Sequence, residues 1–352
     1  MRSLMIAPPP ESARGRRLQA TALVALLLAC WSCAAKEESP PAAAPRIVAG
    51  DGLEGFSDQP PGRFRKPIRL AGFPDGSVAV ADIFNHAVRR VWPDGRIRTL
   101  AGGPERKGHR DGPSDAARFK APHGVAVLPD GSVVVAEAGN HTLRLLRPTP
   151  EGAAPYQVTT LAGSPGESGF RDGPADQALF SSPHAVIPLP GQRLLIADIG
   201  NGRLRLFRNG RVSTVAGTGE QGHRDGPALE ATLHFPMDLS LAEDGAVLVA
   251  DAGSHLIRRF ADGRLTTIRT DRPLNTPHGV AAATGGRILV AEMGAHRISL
   301  IDPSGHVTTI FGSGAPRSDP QGLNRPAAVL VHHGLLWIAD LDNHRLLTLP
   351  WR

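Results

Sequence analysis

From residue 46 onward, short apolar runs alternate with polar punctuation made of glycine, proline and Asp-Gly pairs. One stretch reads PHGVAVLPDGSVVVAEAGNHTLRLL from Pro122 to Leu146, and another reads PHGVAAATGGRILVAEMGAHRISLI from Pro277 to Ile301. The runs are β-branched, partly alternating and bounded by DG, GN or GR, which predicts short strands joined by tight turns. Between copies stands a shorter phrase, VTTLAG or VSTVAG, often followed by GxRDGP. A repeat of roughly 40–60 residues is the signature of a propeller or a solenoid.

Six copies align on an opening proline: Pro67, Pro122, Pro183, Pro236, Pro277 and Pro326. Three residues earlier stands Phe64, Phe119, Phe180, Leu233, Leu274 or Leu323. Some fifteen residues later comes an acid: Asp82, Glu137, Asp198, Asp251, Glu292 or Asp340. Beyond each acid lies Asn85-His86, Asn140-His141, Asn201-Gly202, Ser254-His255, Ala295-His296 or Asn343-His344.

Each copy supplies four strands, led by GVAV-like, SVVVAEAG-like, TLRLL-like and VTTLAG-like runs. The expected fold is therefore all-β, a six-bladed β-propeller of four-stranded blades. The last copy ends in its third strand, at Arg345–Arg352, while a spare fourth-strand phrase, Arg46–Gly50, stands at the start. That N-terminal strand is expected to complete the last blade and close the ring.

The first 45 residues read differently. Arg14, Arg16 and Arg17 precede an apolar run from Ala20 to Ala29, too short to span a bilayer but suited to a secretory signal. Leu27-Leu28-Ala29-Cys30 resembles a bacterial lipobox, making Cys30 the expected lipidated residue; ordinary cleavage near Ala34-Ala35 is the alternative. The expected division is a signal peptide over 1–29, a lipidated cysteine and tether over 30–45, and the propeller over 46–352. Both cysteines, Cys30 and Cys33, precede the propeller, which is left without thiol chemistry. The expected location is the bacterial cell envelope, as a periplasm-facing lipoprotein or else a secreted soluble protein. Of the net charge of +6, Arg2, Arg14, Arg16 and Arg17 less Glu11 contribute 4 − 1 = 3, leaving +3 after cleavage. So modest a charge on an exported protein makes nucleic acid an improbable partner.

The acid, Asn-His and Arg/Leu pattern of AEAGNHTLR and ADLDNHRLL resembles the NHL repeat family over nearly all of residues 46–352. The resemblance implies a six-bladed propeller, whereas function varies among enzymes, RNA binders and receptor ectodomains. The RDGP insertions resemble those of bacterial extracytoplasmic members.

Residues repeated in every blade, the acid and the Asn-His pair, are expected to be scaffold. The RDGP aspartates read as turn chemistry, and Arg110, Arg171 and Arg224 either follow suit or line an anion-attracting face. The uneven position is the residue after the opening proline, expected at the channel mouth: Ile68, His123, His184, Met237, His278 and Ala327. Three imidazoles beside Met237 and Asp238 could hold a divalent metal such as zinc. The alternative is that each simply hydrogen-bonds a neighbouring blade. The histidines are also similar to the PH-type zinc motifs of the peptidyl-hydroxyglycine amidating lyase, with Asp238 resembling its calcium-binding acid in part. That resemblance would require a catalytic tyrosine, and Tyr156, the one tyrosine, is expected on the opposite face. P-loop, GxSxG, HExxH and CxxC motifs are absent from the sequence. The expected function is a monomeric, lipid-anchored module that binds a protein, peptide or envelope ligand. It would do so on a face shared by the histidines and the RDGP loops. A metal-dependent lyase or hydrolase is the alternative.

Overall fold

The computed structural model describes residues 44–150 and 154–352. The signal-peptide, lipobox and Cys30 expectations fall outside these residues. Six antiparallel sheets follow one another along the chain, and no α-helix occurs among the described residues. The inner strands begin at the six aligned prolines: Pro67–Gly72, Pro122–Val127, Pro183–Leu189, Pro236–Leu241, Pro277–Ala283 and Pro326–His332. Each inner strand contacts those of the blades on either side, and blade 6 returns to blade 1. The result is a closed six-bladed β-propeller. Because successive side chains point to opposite faces of a strand, each sheet is apolar on both faces and must be covered twice. Six apolar clusters do this, one at each junction between blades. The aligned Phe64, Phe119, Phe180, Leu233, Leu274 and Leu323 are buried in them.

Closure is as expected. Arg46–Ala49 pairs antiparallel with Arg345–Pro350 and becomes the outer strand of blade 6. Gly50 then takes the place of Gly102 and Gly163, which end the outer strands of blades 1 and 2. All three hold φ near +90° (95°, 85° and 94°), a region that favours glycine. A Cβ on Gly50 would sit 2.4 Å from the carbonyl of His344.

The four-strand expectation needs one addition. In blades 2, 3 and 4 the Gly-Pro of RDGP forms a two-residue strand outside the fourth: Gly112–Pro113, Gly173–Pro174 and Gly226–Pro227. The RDGP loops therefore wrap the circumference of the ring.

Candidate functional site at the channel mouth

The acids and Asn-His pairs lie at the end of the blades where the inner strands begin. Here the repeated residues are fully employed. Each acid is wholly buried and accepts the N–H of the residue two before the opening proline, as Lys120 N–H to Glu137 at 2.7 Å. The Asn side chain bridges that acid to a loop carbonyl, as Asn140 does to Glu137 (2.6 Å) and Gly108 (2.8 Å). Each blade-end histidine sits in the left-handed region and turns its Nδ1 toward the next blade. His86, His141, His255, His296 and His344 accept the N–H of Ala121, Ser182, Thr276, Arg325 and Lys66. Only an unprotonated Nδ1 can accept, so these five staples require neutral imidazole. Blade 3 carries Gly202 at this position and has no such staple. The scaffold expectation for acid and Asn-His holds.

A second repeated device was not visible as such in the sequence. Seven residues after the acid, Arg89, Arg144, Arg205 and Arg258 are buried, each clasping its blade's acid and a loop aspartate. Arg144 reaches Glu137 at 2.9 Å and Asp111 at 2.5 Å, and Arg205 reaches Asp198 and Asp172, each at 2.7 Å. In blade 1, Asp58 takes the role of the RDGP aspartate. These aspartates also cap the outer strand, as Asp111 does at Thr160 N–H (2.9 Å). The RDGP loops are thus fastened to the rim, four strands from the channel. Arg110, Arg171 and Arg224 are exposed there, and Arg224 bonds its own loop at the Glu230 carbonyl (3.0 and 2.9 Å). The sequence left them either as part of the turn or on a ligand face shared with the histidines; in the fold their loops lie on the outer edge of blades 2, 3 and 4.

The position after the proline does reach the channel, and the ladder register explains why. In all six blades the pairing shifts across it, from Pro122↔Glu137 to Gly124↔Ala136 for instance. The skipped residue is the extra member of a β-bulge, which re-aims its side chain. His123, His184 and His278 are brought together in this way: the His123 ring centroid lies 3.7 Å from that of His184 and 6.0 Å from that of His278. Their Nδ1 atoms face the carbonyls of His184 (3.2 Å), Ser182 (2.7 Å) and Ala327 (2.9 Å), respectively. A carbonyl accepts only, so each Nδ1 carries the proton and each Nε2 presents a lone pair. No Nε2 has a partner among the described residues, and none is among the sealed, unpaired atoms.

One residue further along the strand, two after each opening proline, stand Arg69, Gly124, Ala185, Asp238, Gly279 and Ala328. Small residues suit this crowded position: a Cβ on Gly124 would lie 2.6 Å from the His184 carbonyl. Blades 1 and 4, which face each other across the ring, break the pattern. Arg69 Nη1 meets Asp238 Oδ2 at 2.6 Å and Nη2 donates to the Met237 carbonyl at 2.7 Å, closing the channel below the histidines. Asp238 also accepts from Leu239 (2.8 Å) and Val280 N–H (2.9 Å). Arg69 Nε is buried without a partner. Met237 lends its backbone, and Arg69 is the site residue that sequence reasoning missed. Its signal was a large cation at a position otherwise small.

Burial, reinforced by neighbouring cations, holds the channel imidazoles neutral. His184 is lowered to about 4 by burial and Arg69, and His278 to about 3 by burial, Arg69, His184 and Arg325. His123 falls well below its ordinary value for the same reason, next to His184 and Arg69. The unfolded chain titrates near 6.5, so below that pH it binds more protons than the folded ring. Stability is complete above pH 6.5 and falls as pH drops. At pH 5, His184 and His278 are each expected to cost about 2 kcal/mol, from 1.5 pH units or more at 1.36 kcal/mol each. Asp82, which burial pushes up to about 6, works in the opposite sense. Urea midpoints at pH 7.5 and 5 isolate the imidazole share: His278→Gln should lose less stability on acidification than the native chain. Parallel losses would refute it.

Among the described residues, no group of three or more His, Cys, Asp or Glu stands close enough to hold a metal ion. Tyr156 is buried at the start of the outer strand Tyr156–Ala162, at the end opposite the mouth, as expected. A groove of about 650 Å³ on that far side lies between turns of blades 4 and 5, and its Arg259 is already paired with Asp244 at 2.6 Å.

The comparisons with known proteins agree with this architecture. The NHL repeat family model matches residues 119–144, the stretch that runs from Phe119 through the Glu137 and Asn-His turn to Arg144. NHL repeat-containing protein 2 of Bos taurus is 26% identical over 326 residues, covering 76% of this chain and 44% of the relative. The chain thus spans less than half the length of that relative. Among solved structures, a Bacteroides thetaiotaomicron protein of unknown function superposes with a TM-score of 0.64 at 16% identity, over 87% of this chain and 75% of its own. A streptogramin B lyase superposes with a TM-score of 0.55 at 13% identity, over 88% and 97%. One stretch of the chain matches the NHL repeat, the chain is similar to NHL repeat-containing proteins, and its repeats form a six-bladed β-propeller.

Proposed function

We propose that the protein is an exported binding module, lipid-anchored at Cys30, that takes a protein, peptide or cell-envelope ligand at the channel mouth. One observation carries this reading: the mouth gathers polar groups that the scaffold leaves unused. The acids, the blade-end histidines and the rim arginines are all committed to holding blades together. The three Nε2 lone pairs of His123, His184 and His278 are not. Exposed Phe84 and Phe235 lie on the same face, 46% and 41% accessible, the second immediately before the strand-opening Pro236. NHL propellers serve widely as interaction domains, which fits this use.

The test is capture from envelope extracts with immobilised protein. Native protein is expected to retain a ligand that Phe235→Ala and His123→Gln retain at least about 10-fold less. Equal retention by all three would defeat the reading.

A second reading, a metal-dependent lyase or hydrolase, draws on the three Nδ1–carbonyl bonds, since metal-binding histidines are commonly oriented in this way. The donor type suits zinc, but the spacing does not: among the described residues no three such groups stand close enough to hold a metal, the His123 and His184 rings press against each other at 3.7 Å between centroids, and Arg69 stands beside them. Zinc analysis after incubation and dialysis decides it. Stoichiometric zinc, lost in His123→Ala and His278→Ala, would favour this reading over the first.

A further inference from the structure

One register position of the outer strands carries threonine in blades 1 to 5, and in four of them it is capped. Thr99, Thr160, Thr214 and Thr267 stand directly opposite Arg89, Arg144, Arg205 and Arg258. Each gives its N–H and its hydroxyl to a loop aspartate, Asp58, Asp111, Asp172 or Asp225, at 2.9–3.2 Å. The same aspartate meets the buried arginine. Blade 5 keeps the threonine without the aspartate. Thr309, in the strand Val307–Gly312, stands opposite Ser299 in the same register, which turns its N–H outward as in the other four. The loop acid of this blade, Asp271, accepts the Val307 N–H (3.0 Å) and pairs with His306 instead. Thr309 is exposed, whereas the four capped threonines are half-buried. No Gly-Pro strand lies outside Val307–Gly312, so the sheet ends on an open edge, the kind of edge that accepts another strand.

The charge is reversed at the same place. In blades 1 to 4 one guanidinium lies between two carboxylates. At Glu292 two guanidiniums, Arg272 (3.0 Å) and Arg297 (2.9 Å), meet one carboxylate, and each stays about a quarter exposed (27% and 24%), within reach of an incoming anion. Arg272 also donates to Ser299 Oγ at 2.9 Å, which puts its guanidinium on the sheet face that Ser299 shares with Thr309. Against burial, Arg297, Arg272 and Ser299 hold the Glu292 carboxyl down to about 2, whereas burial raises Asp82, Glu137, Asp198 and Asp251.

We infer that the outer edge of blade 5 docks an extended acidic segment of a partner protein, which adds a strand to Val307–Gly312 and sets an aspartate carboxylate on the Thr309 N–H and hydroxyl beside Arg272. The chain itself supplies the pattern of the complement, in the Asp-Gly-Pro loops that pair with the outer strands of blades 2 to 4. Main-chain pairing provides affinity and the carboxylate provides selection. This edge is separate from the channel mouth, and the two readings stand or fail independently.

The probe is a peptide of sequence GFRDGPA, copied from Gly169–Ala175. Amide NMR on the full chain is expected to show a saturable shift of the Thr309 signal, and the Asp172→Asn version of the peptide should bind about 10-fold more weakly, as the loss of charge-assisted hydrogen bonds requires. Thr309→Val, an exposed change that keeps the N–H and removes the hydroxyl, should weaken binding about 5-fold. Thr309→Pro, placed where the N–H faces away from the ladder, should abolish it. A Thr309 signal that the peptide does not move, or equal binding of the Asp and Asn peptides, would overturn the inference. A Thr309 shift that follows protein concentration without peptide would make the occupant a second copy of the chain, and would overturn the choice of partner.

Discussion

A protein lacking residues 46–50 is expected to unfold at markedly lower temperature than the full ring, with every blade affected. The strand Arg46–Ala49 is the outer strand of blade 6, and it pairs with Thr348, Leu347 and Leu346. Val48 and Ala49 are buried in the apolar cluster between blades 6 and 1, together with Trp337, Leu346, Val78, Val91 and Ile97. Deleting the segment removes a few ladder hydrogen bonds at about 1 kcal/mol each and about 2 kcal/mol of valine burial. It also uncovers Leu346 and leaves an unpaired strand edge, itself a site for aggregation. A loss of about 5 kcal/mol is comparable with the whole stability of many domains. The ring amplifies the effect, since a propeller opened at one junction exposes the facing sides of two blades. Calorimetry on the deletion, beside Val48→Ala as a milder cut, checks this. The deletion should abolish or sharply lower the transition, and Val48→Ala should shift it modestly. An unchanged melting temperature in the deletion would show that the ring closes by other means.

What could be read in advance follows from what each residue's job depends on. Residues whose job is local were legible: the Asp-Gly turns, the β-branched runs and the opening prolines are set by neighbours in the chain. Closure was legible too, because a missing phrase at one end matched a spare phrase at the other. The channel histidines were found from unevenness alone, and the bulge after each proline supplies the physical cause. Partnerships across blades were not legible. His344 bonds Lys66, 278 residues away, and nothing in the sequence near either names the other. Arg69 and Asp238 likewise meet only because blades 1 and 4 stand opposite in a ring of six. The RDGP arginines carried two readings, turn chemistry or a ligand face, because variable loops often hold function. In the fold, the Asp beside each arginine secures that loop to a buried guanidinium on the rim.

Arg144→Met is expected to be the most damaging single substitution in the second blade. Arg144 lies wholly buried between two carboxylates, Glu137 and Asp111, and its guanidinium also donates to the carbonyls of Arg118 (3.2 Å) and Arg110 (2.9 Å). Removing one partner of a buried pair strands the other, at a cost of about 3–5 kcal/mol. Here Glu137 would remain, still held by Lys120 N–H, Asn140 and Thr142 but without its countercharge. Arg144→Lys restores charge but not the fork, so it should recover only part of the loss. Burial already raises the Glu137 pKa in the native protein, opposed chiefly by Arg144. Without that guanidinium it rises further, and the folded variant takes up a proton where the unfolded chain does not. Stability gained by this uptake is present at low pH and is lost as pH rises through the raised pKa. The variant should therefore close part of its gap to the native protein between pH 7.5 and 5.5. Adding Glu137→Gln should remove that pH dependence and recover some stability at pH 7.5, since the amide leaves no buried charge. Denaturant midpoints of the four proteins at the two pH values decide the matter. A constant gap, or a double variant no more stable than Arg144→Met, would mean that the arginine acts through packing and not through the buried charge.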